Sequence, residues 1–187
     1  MSGPEAGLSD FRNAGPVTVL ETERLLLSHL SVNDTEFILE LLNDPAFLEF
    51  VGDKGVRTLD DAREYILTGP VDSYKRHGFG LYMARLKVGG APIGICGLVK
   101  RESLEDADIG FGLLPAFRGK GYAIEAAAAV LEHARAALGF SRILAVTSPD
   151  NHGSIRILKK LGLRFEKMIS LSDDDPDIKL FVSDART

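Results

Sequence analysis

A hexapeptide near the middle of the chain has the residue types of a phosphate-binding turn. It follows an apolar segment, precedes a long helical pattern, and reads Arg118-Gly119-Lys120-Gly121-Tyr122-Ala123. Glycines let the backbone approach a ligand closely, and the first amides of a helix have no acceptor inside the helix. The helix dipole adds partial positive charge at the same point. The hexapeptide therefore predicts a cradle of backbone amides for a phosphate group.

Two better-known phosphate-binding loops do not match this segment. The P-loop pattern fails because Leu114 stands at its first glycine and Gly121 at the position of its magnesium-binding serine or threonine. The dinucleotide pattern G-x-G-x-x-G fails because Ile124 takes the place of the third glycine. A helix start that uses glycine only for turn geometry is the simpler alternative. The two basic residues and the preceding strand favour phosphate binding.

Changes in hydrophobic period predict the elements that position this turn. Strands are predicted at residues 24–28, 81–86, 93–99, 107–114, 142–147, 165–171 and 178–182. Helices are predicted from Asn33 to residue 42, from Thr58 to an interruption at Gly69-Pro70, over residues 121–138, and from Asn151 to Leu161. This order of strands and helices predicts an α/β (α+β) layered fold with a mixed sheet.

Composition excludes several classes of function. The chain has 187 residues, a formal net charge of −5 and one cysteine, Cys96. The negative charge argues against nucleic-acid binding, and neither a disulfide nor a cysteine metal cluster can form, so we expect no metal. The sequence has no apolar run long enough to cross a membrane, so we expect no membrane partner and a cytoplasmic location. Residues 1–16 are predicted to be a mobile tail and residues 17–187 a single domain.

Several segments together resemble one enzyme family. Arg118-x-x-Gly121-x-Ala123 is similar to the [QR]-x-x-G-x-[GA] pyrophosphate loop of the GNAT superfamily of acyl-CoA-dependent N-acetyltransferases. Segments that resemble its ribosomal-protein N-terminal (RimJ/RimL-like) branch are residues 20–27, 93–98, 108–111, 151–155 and 161–163. The similarity extends from about Val17 to Val182, which is nearly the whole chain.

This resemblance implies how coenzyme A would bind. The central sheet is expected to be mostly antiparallel and flanked by helices, and to splay between the fourth and fifth predicted strands. Pantetheine would lie in that gap, paired with backbone groups from Phe111 to Leu113. The pyrophosphate would lie on the amides of residues 118–123. An amide near Leu113 would stabilise the oxyanion that forms when an amine attacks the thioester.

The resemblance also implies candidate catalytic residues. Asn151 matches the residue that binds the pantetheine arm. Ser154 matches a serine near the sulfur, and it would be the hydroxyl donor that protonates or stabilises the leaving thiolate. The family's usual acid, a tyrosine, is replaced by Leu158. On residue type alone, Asn151 could simply cap the helix and Ser154 could simply fill its first turn.

A base must also take a proton from the incoming amine. Asp108 stands where the family often has glutamate, and it is our candidate. Cys96 is expected in the core, and His29 and His77 are expected to have structural roles. Ser28 replaces an arginine that is common in the ribosomal-protein branch, so a shared acceptor does not follow from the resemblance.

The function implied is direct acetyl transfer from acetyl-CoA to a primary amine, either a protein N-terminus or a small molecule. One alternative is a non-catalytic acyl-CoA sensor or interaction module, which the missing tyrosine favours. Another is a transferase that uses a different donor, such as succinyl-CoA. The oligomeric state stays open, with a homodimer as one option.

Overall fold

The described strands form one mixed sheet. The computed structural model describes residues 16–184, so the expected tail lies outside the described residues except for Pro16. The strands are β1 (Thr18–Glu21), β2 (Leu25–His29), β3 (Leu81–Leu86), β4 (Pro92–Val99), β5 (Asp108–Leu113), β6 (Arg142–Thr147), β7 (Arg164–Ile169) and β8 (Ile178–Asp184). Over residues 16–184 they make an eight-stranded sheet in the order β1-β2-β3-β4-β5-β6-β8-β7. Its pairs are antiparallel except for β5 with β6, which confirms the predicted fold class.

Six α-helices cover the sheet in the described part of the chain. They are α1 (Thr35–Leu42), α2 (Pro45–Phe50), α3 (Leu59–Ile66), α4 (Asp72–His77), α5 (Tyr122–Ala136) and α6 (His152–Lys160). The predicted start of α3 is confirmed, because Thr58 and Asp61 form a reciprocal capping box. The predicted cap of α6 is also confirmed, because the Asn151 side chain accepts a hydrogen bond from the Ser154 amide.

Two local predictions were wrong, and helix α2 was not predicted. Ser31, and not Asn33, caps the turn before α1, through a capping box with Asp34. Helix α1 ends at Leu42 as predicted, and α2 begins directly after it, because Asp44 caps α2 and proline suits the first helical position. The Gly69-Pro70 pair does not break the helical path, which continues through a π turn (Leu67–Val71) into α4.

The sheet separates two hydrophobic clusters. One face packs against α5 through residues such as Ile109, Ala127 and Leu131. The other face packs against α1 and α3 through residues such as Ile38 and Ile66. Because side chains alternate along a strand, successive residues of β5 point alternately toward the α5 side and the α1–α3 side of the sheet.

The predicted gap in the sheet is present between β5 and β6. These are the fourth and fifth predicted strands, and they become the fifth and sixth because β1 was not predicted. Among the described residues, the register joins these strands only at Asp108 and Leu144. The Leu144 amide donates to the Ala107 carbonyl at 2.9 Å. Beyond this point the two strands diverge toward their carboxyl ends.

Candidate functional site

The bend before α5 is an open row of backbone donors. Gly119 and Gly121 have φ of +72° and +83°, in the left-handed region that favours glycine, and Gly121 caps α5. The first hydrogen bond of the helix runs from the Glu125 amide to the Gly121 carbonyl. The Arg118 amide, expected in the cradle, instead donates to the Pro115 carbonyl. Over residues 16–184, the amides of residues 119–124 donate to no backbone or side-chain acceptor. The bend is exposed, so these amides can bind an anion from solvent.

A cleft of about 730 Å³ extends from this bend along the carboxyl end of β5 to the start of α6. Phe111, Gly112 and Leu113 line it from β5. Because backbone groups alternate in direction along a strand, and Ala107 faces β6, those of Phe111 and Leu113 also face the gap. The cleft therefore offers an unpaired strand edge to an extended ligand.

The start of α6 forms another wall of the cleft, and both residues predicted there line it. Asn151 Oδ1 accepts from the Ser154 amide at 3.0 Å, while Asn151 Nδ2 and Ser154 Oγ make no hydrogen bond to the described residues. Leu158, in contrast, is buried in the cluster under α5. The position of the family's tyrosine is therefore part of the core in this chain.

Two basic residues of the hexapeptide are placed differently from the expectation. Arg118 lines the cleft, but its guanidinium is held by the protein: Nε donates to the Leu113 carbonyl at 2.9 Å, and Nη2 is ion-paired with Asp44. Asp44 also caps α2, so Arg118 connects the bend with α2. Lys120 is not among the residues that line the cleft. Its Nζ lies 5.9 Å from the centre of the Phe117 ring.

Sequence reasoning missed a clamp behind the bend, formed by Arg24 and Glu125. Arg24 Nε donates to Glu125 Oε2 at 2.6 Å, and Arg24 Nη1 donates to the Lys120 carbonyl at 3.0 Å. The guanidinium carbon lies 4.4 Å from the centre of the Tyr122 ring. Thr22 Oγ1 donates to Glu125 Oε1 at 2.6 Å. The segment Leu20–Leu27, which contains Arg24, was noted for its resemblance to the ribosomal-protein branch. Nothing in the sequence indicates that this segment contacts residue 125.

Asp108 is not brought into the cleft. Its side chain is 1% exposed and is ion-paired with Arg101 Nε at 2.9 Å. It lies five residues from Leu113, which is about 16 Å along the strand. Burial raises the pKa of the carboxyl above its ordinary value, and Arg101 opposes that shift only in part. These contacts give Asp108 a structural role in place of the expected role as base.

The remaining reactive side chains divide between core and cleft. Cys96 is buried, as expected, and burial raises the pKa of its thiol. His29 stacks on Tyr74 with ring centres 4.0 Å apart, and neither His29 nor His77 is among the residues lining the cleft. His152, which the sequence analysis did not single out, does line it.

Comparisons with known proteins decide the family. The model of the acetyltransferase (GNAT) domain matches residues 24–164. The chain belongs to the GNAT acetyltransferase family. Its relatives include the uncharacterized N-acetyltransferase YnaD of Bacillus subtilis, which is 29% identical over 147 residues, covering 79% of this chain and 83% of that protein.

Solved GNAT structures have the same fold. An acetyltransferase from Agrobacterium tumefaciens superposes with a TM-score of 0.76 at 24% identity, covering 91% of this chain and 96% of that one. RimL, a ribosomal-protein alpha-N-acetyltransferase solved with coenzyme A, superposes with a TM-score of 0.75 at 16% identity, covering 90% and 98%. At such identities the likeness shows the GNAT fold alone.

Within residues 16–184, the GNAT chain has no cluster of three or more histidine, cysteine or acidic residues arranged to hold a metal ion. In the same range, none of its helices has the length and apolar character needed to span a membrane.

Proposed function

We propose that the chain transfers an acetyl group directly from acetyl-CoA to a primary amine, without a covalent enzyme intermediate. The observation that carries this proposal is the row of unpaired amides at residues 119–124, in a cleft that is also lined by the end of β5 where it has separated from β6. A diphosphate fits the first feature and an extended pantetheine arm fits the second.

Binding would use main-chain groups more than side-chain charge. The amides of residues 119–124 would hold the pyrophosphate, since Arg118 is already paired with Asp44. The backbone groups of Phe111 and the Leu113 amide would pair with pantetheine, since the Leu113 carbonyl already accepts from Arg118 Nε. Asn151 Nδ2 would donate to one of the pantetheine carbonyl oxygens. The thioester carbonyl would then lie near the Leu113 amide, which would stabilise negative charge on its oxygen.

Proton transfer would involve the cleft wall at α6. Ser154 Oγ has no partner among the described residues, so it is free to donate a hydrogen bond to the departing thiolate. It would pass its proton to the sulfur only as it receives another from solvent water or from the amine, so no alkoxide is left on the serine. The amine must lose a proton to a base, directly or through water. Asp108 is enclosed by its ion pair. The titratable side chains that line this end of the cleft are Asp150 and His152.

The acceptor is proposed by class only, as a protein N-terminus or a small-molecule amine. RimL, whose fold this chain has, is a ribosomal-protein alpha-N-acetyltransferase, which supports testing peptide N-termini first. Apolar residues of α2, including Phe47 and Phe50, line the cleft and would exclude water near the thioester.

The test is a set of amines and short peptides incubated with acetyl-CoA and the purified chain. We expect release of free coenzyme A together with an N-acetylated product detected by mass spectrometry. Acetyl-CoA binding without product from any amine would instead favour a non-catalytic acyl-CoA sensor, the alternative that the buried Leu158 supports. Parallel reactions with succinyl-CoA would show whether the donor is a longer acyl-CoA.

A further inference from the structure

Two cations on α6 face the cleft without an anionic partner. Arg156 and Lys160 are four residues apart, so they lie on the same face of the helix, one turn from each other. Both are exposed, and both line the cleft. Within residues 16–184, neither forms an ion pair or a side-chain hydrogen bond.

The other cations around the cleft are already engaged or turned away from it. Arg118 is paired with Asp44, and Arg24 is paired with Glu125. Lys120 does not line the cleft. The proposed diphosphate site therefore consists of backbone amides. Arg156 and Lys160 supply the uncompensated positive charge along the described cleft wall.

The position of the pair indicates which end of a ligand it would meet. Asn151 and Ser154, proposed to contact the pantetheine arm, lie at the start of α6. Lys160 lies at the opposite end, about 12 Å along the helix axis from His152. The carboxylate that lines the cleft, Asp150, precedes the helix and is therefore near the pantetheine end.

We propose that Arg156 and Lys160 bind the 3′-phosphate on the ribose of coenzyme A. This inference rests on the proposed function, because it takes acetyl-CoA as the ligand of the cleft. The 3′-phosphate is a phosphomonoester, and such groups carry between one and two negative charges near pH 7. A guanidinium can form paired hydrogen bonds with such a group, and an ammonium supplies a compact second charge. The site would make the enzyme selective for coenzyme A over its dephosphorylated form.

The experiment is calorimetric titration of the full chain with acetyl-CoA and with acetyl-3′-dephospho-CoA, which keeps the diphosphate and pantetheine but lacks the 3′-phosphate. It compares the unchanged chain, Arg156→Ala/Lys160→Ala, and Lys159→Ala. Lys159 is a matched control, because it is an exposed cation of the same helix that does not line the cleft.

We expect the unchanged chain to bind acetyl-CoA about tenfold more tightly than the dephosphorylated donor, since each exposed charge contact contributes about three- to fivefold. The double variant should lose this preference and bind both donors as weakly as the unchanged chain binds the dephosphorylated one. Lys159→Ala should keep the preference. Added salt should reduce it, because exposed charges are screened.

Equal affinity of the unchanged chain for the two donors would overturn this proposal and leave the proposed function intact. So would a double variant that weakens both donors by the same factor, because the cations would then act on the diphosphate. Failure of both donors to bind the unchanged chain would overturn the proposed function, and the 3′-phosphate site with it.

Discussion

At the scale of single residues, Asn151 uses the two ends of its side-chain amide differently. Its oxygen caps α6 by accepting from the Ser154 amide, which leaves its nitrogen free to donate into the cleft. Capping and ligand binding were alternatives in the sequence analysis. The structure confirms the cap, and its geometry leaves the proposed pantetheine contact open, so one residue can serve both purposes.

Ser154→Ala tests the proposed proton donor. We expect kcat to fall about a hundredfold, as is typical for the loss of a general acid, while the Kd for acetyl-CoA changes little. Ser154→Thr keeps a hydroxyl and should recover much of the loss. Steady-state kinetics and calorimetry on the same preparations give the two values. If kcat is unchanged in Ser154→Ala, Ser154 is only a structural residue of the first turn of α6.

Asp108→Asn separates a structural ion pair from a catalytic base. The substitution leaves Arg101 without its buried partner, so we expect a loss of about 1–3 kcal/mol in the free energy of unfolding. Because the carboxyl is enclosed far from Leu113, kcat should stay within about threefold of the unchanged enzyme. Urea unfolding and initial rates measure the two effects. A loss of kcat near a hundredfold in folded protein would restore Asp108 as the base.

At the scale of elements, the bend before α5 depends on a backbone conformation that only glycine adopts easily. Gly121→Val should cost about 1–2 kcal/mol of stability, because a side chain is strained at positive φ. It should also weaken acetyl-CoA binding by more than about tenfold, because the amides would no longer converge. The Cβ would lie 3.3 Å from Arg24 Nη2, so the clamp would be disturbed as well.

Gly139→Val is the matched control for that substitution. Gly139 has φ of +75°, lies beyond the end of α5, and is not among the residues that line the cleft. It should show a similar loss of stability by thermal unfolding but normal affinity for acetyl-CoA. Equal affinities in the two variants would mean that the bend does not hold the diphosphate.

The clamp between Arg24 and Glu125 predicts a pH dependence of stability. Burial acts to raise the pKa of Glu125, but hydrogen bonds from Thr22 and Arg24 outweigh it, and the net shift is downward from 4.5. A lowered folded-state pKa means that the contribution is present above the unfolded pKa and is lost as the pH falls through the folded value. Glu125→Gln should therefore lower stability near pH 7 and flatten its decline below about pH 4.5. Unfolding curves from pH 3 to pH 7, about the range of carboxyl titration, would show this, and parallel curves for the two proteins would contradict it.

At the scale of the whole molecule, the features that could be predicted from the sequence are those set by residues close together in the chain. The hexapeptide, the cap at Asn151 and the capping box at Thr58 are readable because their partners lie within three residues. Helix α2 was not predicted, because it has only six residues and begins directly after α1 ends. Strand β1 was missed because it is a short edge strand.

The parts of the site that sequence could not predict are non-local. Arg24 and Glu125 are 101 residues apart, and Arg118 and Asp44 are 74 apart. Nothing in either segment specifies its partner, so these pairs appear only when the sheet brings them together. The cleft-facing position of Arg156 and Lys160 likewise depends on how α6 packs beside the gap.

The central claim is that main-chain amides ahead of α5 hold the diphosphate of acetyl-CoA. Its most direct test is a titration of the ¹⁵N-labelled chain with acetyl-CoA, followed through backbone amide resonances. We expect saturable changes in resonance position that are largest for residues 119–124, and no change in the Gly139 amide resonance. Saturable binding without a change in the amide resonances of residues 119–124 would contradict this claim, and so would the absence of binding.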